Sequence, residues 1–140
     1  MSLILDTGPL VAFLNRRDGH HGWATEQWSL AAPPFLTCEV VIAEACFLVQ
    51  PFAGAQAALL DLISRGVLDL SFQLADESQA VARLLNKYRD VPMSLADACL
   101  VRMAELHVQG IVLTLDSDFS IYRKNGRQVI PAITPDREAP

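Results

Sequence analysis

Two aspartates follow short apolar runs, where a buried strand would reach its carboxyl end. Asp6 comes directly after the run 3–5. Asp116 comes after the run 111–115, and Asp118 follows two residues later. Because ligands bind beyond the carboxyl ends of strands in open α/β sheets, these acids are candidates for one crevice. A strand-end aspartate is also a common turn former, and Asp118 is equally suited to cap a short helix.

Two further acids lie in segments with helical periodicity. Glu44 has apolar residues three and four positions away on both sides, so we expect it to project from the buried face of its helix. A buried carboxylate is costly unless it is paired with a base or bound to a metal, and both interpretations stay open. Asp97 follows Ser94 by three residues, which is typical of a capping box. It also lies beside the apolar side of its helix, so a functional role is equally open.

Several carboxylates in one crevice repel each other, and a hard divalent cation would relieve that repulsion. Mg²⁺ and Mn²⁺ prefer carboxylate and water oxygens as ligands. One or two such ions can activate a water and stabilise an in-line phosphoryl displacement. The sequence has no glycine-rich phosphate loop, no paired C-x-x-C site and no constellation for a serine or cysteine nucleophile. The pattern therefore predicts metal-dependent phosphodiester hydrolysis.

Alternating strand and helix patterns position these acids. Strands separated by helices predict an α/β fold, with a mainly parallel sheet sandwiched between helices. Gly8 is expected to form the turn after the first strand, and Thr37 to cap the third helix. We expect a single domain over 1–134 and a frayed tail over 135–140. The predicted strands are 3–6, 67–72, 111–115 and 128–131, and the predicted helices are 9–16, 23–31, 38–49, 53–65, 75–89, 94–108 and 118–122.

Composition limits the class of protein. The chain has 140 residues, of which 51% are hydrophobic and 19% charged, as expected for a compact globular domain. No apolar run is long enough to span a membrane, and no signal peptide is evident. Cys38, Cys46 and Cys99 form no pair by spacing, which favours reduced cysteines and a cytoplasmic location. The net charge of -5 disfavours a nucleic-acid partner unless several of the acids form a metal site.

Four short motifs, taken together and in this order, resemble the PIN-domain ribonucleases. They are L-I-L-D-T-G-P-L at the N-terminus, V-V-I-A-E-A around Glu44, S-L-A-D-A around Asp97 and V-L-T-L-D-S-D-F near the C-terminus. The similarity covers essentially the whole chain. It is greatest to the small single-domain bacterial members, many of which are toxins of the VapC type.

The resemblance implies a three-layer α/β/α sandwich, a Mg²⁺ or Mn²⁺ site and endonucleolytic cleavage of RNA. By position, it implies that the catalytic, metal-binding quartet is Asp6, Glu44, Asp97 and Asp116, with Asp118 as a supplementary acid. Thr114 matches the small hydroxyl residue before the last acid, and Thr7 and Ser94 are expected to support the site. The resemblance also implies a homodimer and, for a toxin, a cognate antitoxin that enters the active-site groove.

Basic residues near the acids are candidates for RNA contact. Arg16 and Arg17 follow the opening helix, and Arg123 and Lys124 follow Asp118, so they are placed to line the crevice. They are equally consistent with ordinary surface charges.

Other classes of protein fit the chain less well. Asp-Thr-Gly also opens the aspartic-protease loop, but that fold is all-β and this chain is dominated by helical periodicity. A haloacid-dehalogenase-type phosphatase needs a second acid where Gly8 stands. The principal alternative is a catalytically silent PIN-like module that binds RNA or protein.

Overall fold

A computed structural model describes residues 2–135, so the tail expected to fray lies almost wholly outside the described residues. The fold is an α/β/α sandwich. Its helices are α1 (Thr7–Leu14), α2 (His21–Leu30), α3 (Glu39–Leu48), α4 (Ala55–Ser64), α5 (Leu74–Lys87) and α6 (Leu95–Leu106), with a 3-10 helix at Ser117–Ser120. Its strands are β1 (Ser2–Leu5), β2 (Phe35–Leu36), β3 (Leu68–Asp69), β4 (Gly110–Leu113), β5 (Arg123–Lys124), β6 (Gln128–Val129) and β7 (Ala132–Ile133).

The main sheet of the described residues has the strand order β3-β2-β1-β4-β7, and every neighbouring pair is parallel. Strand β1 is central and pairs with β4 in register from Ser2 opposite Gly110 to Leu5 opposite Leu113. The segments after β1 and β4 therefore leave the same edge of the sheet side by side. Asp6 continues the pairing, since its N–H donates to the carbonyl of Leu113 at 3.0 Å. The predicted mainly parallel sheet is confirmed.

Helices cover the two faces of this sheet. Helix α1 packs against α2, α3 and α4, whereas α5 packs against α6, which itself contacts β1 and β4. Helix α6 is the most buried of these elements, because every residue from Ala96 to Val101 is buried. Its first turn lies close to the edge of the sheet where the strands end. None of the helices in residues 2–135 is long and apolar enough to cross a membrane.

Several element boundaries differ from the sequence prediction. Strand β2 was not predicted, because it has only two residues and follows Pro33-Pro34. The strand predicted at 67–72 is reduced to Leu68–Asp69. The strand predicted at 128–131 is reduced to β6, which forms an antiparallel hairpin with β5 and does not join the parallel sheet. The edge strand of the main sheet is β7 instead.

Two local expectations are also wrong. Thr37 does not cap α3. Its buried hydroxyl donates to the carbonyl of Leu5 at 2.9 Å, which ties β2 to the end of β1. Gly8 does not form a turn, because α1 already begins at Thr7. A Cβ atom on Gly8 would come within 3.0 Å of Leu115, so glycine permits the close approach of α1 to the segment after β4.

The three cysteines are free thiols, as predicted. Cys38 and Cys99 are buried, and Cys46 is half-buried.

Candidate active site

Asp6 is held by hydrogen bonds to both of its carboxylate oxygens. It lies at the end of β1, where its Oδ1 accepts from the N–H of Thr7 at 2.7 Å. Its Oδ2 accepts from the hydroxyl of Thr114 at 2.7 Å. Burial raises the pKa of Asp6 to about 6, although these two hydrogen bonds lower it. The negative charges of Asp97 and Asp116 raise it further, so the three acids share one electrostatic environment.

Thr114 connects the two strand-end acids. Its fully buried hydroxyl donates to Asp6 and accepts from the N–H of Asp116 at 2.9 Å. Asp116 is the N-cap of the 3-10 helix, and its Oδ1 accepts from the N–H of Asp118 at 2.8 Å. The cap is therefore Asp116, and the interpretation of Asp118 as the cap is wrong. Both of these acids are half-buried beside the crevice.

Asp97 reaches the same place from the first turn of α6. The predicted cap at this turn is confirmed, since Ser94 is the N-cap and its hydroxyl accepts from the N–H of Asp97 at 3.0 Å. Asp97 is 8% exposed, and its Oδ2 accepts from the hydroxyl of Tyr122 at 2.9 Å. Burial raises the pKa of Asp97, the hydrogen bond from Tyr122 lowers it, and the charge of Asp116 raises it.

Tyr122 is the site residue that sequence reasoning missed. Its ring is fully buried and lies edge-on to the rings of Tyr88 and Phe119. This packing aims the hydroxyl at Asp97, which is 25 positions earlier in the chain. The only signal in the sequence was an aromatic residue soon after the last acidic motif.

Replacing Tyr122 with phenylalanine is expected to lower the free energy of unfolding by about 2 kcal/mol at pH 8, because a buried carboxylate loses its donor. Urea denaturation measures this loss. Tyr88→Phe is the matched control, since the Tyr88 hydroxyl accepts from the backbone N–H of Arg123, at 2.8 Å, and contacts no carboxylate within residues 2–135. A neutral hydrogen bond of this kind contributes about 1 kcal/mol. Equal losses for the two variants would contradict the role given to Tyr122.

Glu44 is exposed, and the expectation that it projects from a buried face is wrong. Helix α3 buries Val41, Ile42 and Ala45 instead. The same helix also carries apolar residues on an exposed face, where Phe47 and Leu48 are 71% and 46% exposed. A helical wheel could not decide which of these faces packs on the core.

The carboxylate of Glu44 is nevertheless tied to the site. Its Oε2 accepts from the hydroxyl of Thr7 at 3.1 Å, and the N–H of Thr7 donates to Asp6. Thr7 therefore bridges the two acids. No arginine or lysine of the described residues pairs with Glu44, so the alternative of a buried ion pair is not supported.

The oxygen donors of this cluster suit a hard divalent ion. The acids lie close enough to raise one another's pKa. Yet in residues 2–135 no three His, Cys, Asp or Glu side chains converge tightly enough to form a ready metal cage. Mg²⁺ needs no such cage, because it keeps several waters and binds through one or two carboxylates.

The predicted RNA-contact residues occupy two separate places. Arg16 and Arg17 are exposed beyond the far end of α1, about 12 Å along the helix from Asp6. There they line a hollow of about 550 Å³ between α1 and the start of α4. Arg123 and Lys124 lie on β5, where Lys124 is buried and Arg123 donates to carbonyls of the preceding turn.

Comparison with known proteins assigns the family. Residues 3–125 match the sequence profile of the family described as "PIN domain". The chain belongs to the PIN domain family. Among curated proteins it is 31% identical to Ribonuclease VapC26 of Mycobacterium tuberculosis over 127 residues, which are 89% of this chain and 94% of that protein.

A solved structure has the same fold as this PIN domain. The crystal structure of VapC20 of Mycobacterium tuberculosis, described as a Sarcin-Ricin loop cleaving toxin, superposes with a TM-score of 0.76. The match covers 86% of this chain and 94% of that chain, at 23% identity. All the acids of the cluster lie within the span that matches the PIN domain family. The family predicted from the four motifs is therefore confirmed.

Proposed function

We propose that this PIN domain is a Mg²⁺- or Mn²⁺-dependent endoribonuclease. The observation that carries the proposal is that Asp97 and Asp116 lie near enough to Asp6, at one edge of the sheet, to add to the rise that burial causes in its pKa, to about 6. Such a cluster of buried charges is costly to maintain, and a bound cation would offset that cost. The similarity to a protein named a ribonuclease supports RNA as the substrate.

Each residue of the cluster has its own part in this function. Asp6, Asp97 and Asp116 would hold one or two ions, with Glu44 and Asp118 as further ligands in direct or water-mediated contact. The ion would supply an activated water and neutralise charge on the scissile phosphate.

Hydroxyl groups orient the acids that would bind the ion. Thr114 fixes Oδ2 of Asp6, and Tyr122 fixes Oδ2 of Asp97. The hydroxyl of Thr7 donates to Glu44, and the hydroxyl of Ser94 caps the first turn of α6. The aspartates are thus oriented before a metal binds, which lowers the cost of ordering them.

Removal of divalent metal is expected to abolish RNA cleavage by the purified protein, and Mg²⁺ or Mn²⁺ to restore it. Gel analysis of a labelled RNA, with and without chelator, measures this dependence. Ca²⁺ at the same concentration provides a control for nonspecific charge neutralisation, since it prefers more ligands at longer distances. Full activity in chelator would contradict the proposal. Metal-independent binding of RNA without cleavage would favour the silent binding module instead.

We further propose that the protein is the toxin of a toxin–antitoxin pair and acts as a homodimer in the cytoplasm. The exposed apolar side chains of Phe47 and Leu48 on α3 support a protein partner, because exposed apolar clusters of this kind often mark interfaces. The free thiols support a reducing compartment.

A further inference from the structure

A second hollow, of about 330 Å³, lies between α5, α6 and the β5–β6 hairpin. We call it the basic hollow. Its charged lining residues are Arg83, Lys87, Arg102, Arg123 and a single acid, Glu105. In a chain with a net charge of -5, this is a marked local excess of positive charge.

The acid of the basic hollow is paired with Arg102, which is shared with a second acid, Glu77. Arg102 donates to Glu105 at 3.2 Å and to Glu77 at 3.0 Å. Glu105 also accepts from the N–H of Asn125 at 2.6 Å, which attaches the hairpin to α6. Across residues 2–135, no carboxylate forms an ion pair with Arg83, Lys87 or Arg123. Their three positive charges therefore exceed the single negative charge that is left when Arg102 is shared between Glu77 and Glu105.

Two of these three cations are held in place by neutral groups. The ammonium of Lys87 donates to the carbonyl of Gly126 at 3.0 Å. The guanidinium of Arg123 donates to the carbonyls of Ser120, Ile121 and Tyr122 at 2.8 to 3.1 Å. Carbonyls orient these groups but leave their positive charge available to an anion. Little side-chain ordering would then be needed when an anion binds.

The basic hollow is connected to the carboxylate cluster through one short segment. Tyr122 donates to Asp97, and the next residue, Arg123, lines the hollow. The backbone N–H of Arg123 is bound to the hydroxyl of Tyr88, whose ring packs against that of Tyr122. The two sites are therefore separated by the packed rings of Tyr88 and Tyr122. A polymer with regularly spaced negative charges could contact both.

We propose that the basic hollow binds a backbone phosphate of the RNA substrate, away from the nucleotides that reach the carboxylates. This inference rests on the proposed function. Guanidinium and ammonium groups around one hollow match the chemistry of phosphate recognition. Such contacts position an RNA without reading its sequence.

The test compares two double variants. The hollow variant is Arg83→Ala/Lys87→Ala, and the control is Arg65→Ala/Arg89→Ala. The control pair removes the same charge from exposed positions that do not line the hollow. Each protein is assayed on a long RNA and on a short oligoribonucleotide with the same cleavable sequence. For the long RNA, the hollow variant is expected to raise KM about 10-fold with kcat unchanged. For the short RNA, the hollow variant and the control should behave alike.

Binding in chelator provides a readout that is independent of cleavage. Fluorescence anisotropy with the long RNA should show the hollow variant binding about 10-fold more weakly than the control. For the hollow variant, the slope of log K against the logarithm of the salt concentration should be shallower by about one for each phosphate that it no longer binds. Equal affinities and slopes for the two variants would overturn the inference. If the binding difference is found but wild type does not cleave RNA, only the nuclease proposal fails.

A polyglutamate peptide distinguishes RNA from an acidic protein partner. If the hollow variant loses affinity for this peptide but binds RNA as the control does, the hollow serves a protein and the inference is wrong.

Discussion

Asp97→Asn is expected to lower the rate of metal-dependent RNA cleavage by about 100-fold or more, with the fold intact. Asp97 is buried at the start of α6, and one of its carboxylate oxygens accepts from the hydroxyl of Tyr122. An amide keeps the size of the side chain but removes the negative charge that would hold the ion. Initial rates on a labelled RNA at saturating Mg²⁺ measure the loss.

The substitution separates function from stability because the helix cap does not depend on the Asp97 side chain. The hydroxyl of Ser94 accepts from the backbone N–H of Asp97, and asparagine has the same N–H. We therefore expect the thermal midpoint of the metal-free variant to be equal to or above that of wild type. Asp90→Asn is the control, since Asp90 is exposed in the loop before α6. If Asp97→Asn cleaves RNA at the wild-type rate, the assignment of Asp97 to the active site is wrong.

The strand-end acids were predictable from the sequence because their position follows from topology. An apolar run that ends in an acid indicates a buried strand whose end carries a carboxylate. Strands β1 and β4 are neighbours in the sheet, so Asp6 and the segment from Thr114 to Asp116 leave it together. Ser94 was predictable for a similar reason, since a cap acts over only three residues.

Interactions between distant parts of the chain were not predictable from local pattern. Glu44 lies on a helix with apolar residues on two faces, and only the packing of the core decides which face is buried. The bond from Tyr122 to Asp97 depends on how the segment after the 3-10 helix folds over α6. Periodicity contains no information of this kind.

Very short strands were also missed, since two residues cannot display a period. Strands β2 and β7 each have only two residues. The run Phe35-Leu36-Thr37 after two prolines did offer a signal, because it is rich in residues that favour strands.

Asp6→Asn is expected to stabilise the metal-free protein at neutral pH, although it should remove activity. The carboxyl pKa rises from 3.8 to about 6 on folding, mainly because the group is buried. Between these values the folded state binds more protons than the unfolded state, so stability falls as pH rises from about 4 to about 6. Above that range, the ionised carboxylate of Asp6 lowers the free energy of unfolding by about 3 kcal/mol, and asparagine avoids this cost. Asparagine also remains a favourable residue at the N-cap of α1.

Urea denaturation in chelator from pH 4 to pH 8 measures this effect as the difference in free energy of unfolding between Asp6→Asn and wild type. The difference should grow in favour of the variant as pH rises through about 6 and then remain constant. Asp18→Asn is the control for removal of one carboxylate, because Asp18 lies in the turn before α2, away from the acidic cluster. Mg²⁺ should then stabilise wild type more than Asp6→Asn, because the ion binds the folded state through the charge that the variant lacks. A difference that shrinks as pH rises would contradict the burial of an ionised Asp6. The penalty borne by the metal-free protein is thus the physical reason to expect a cation at this edge of the sheet.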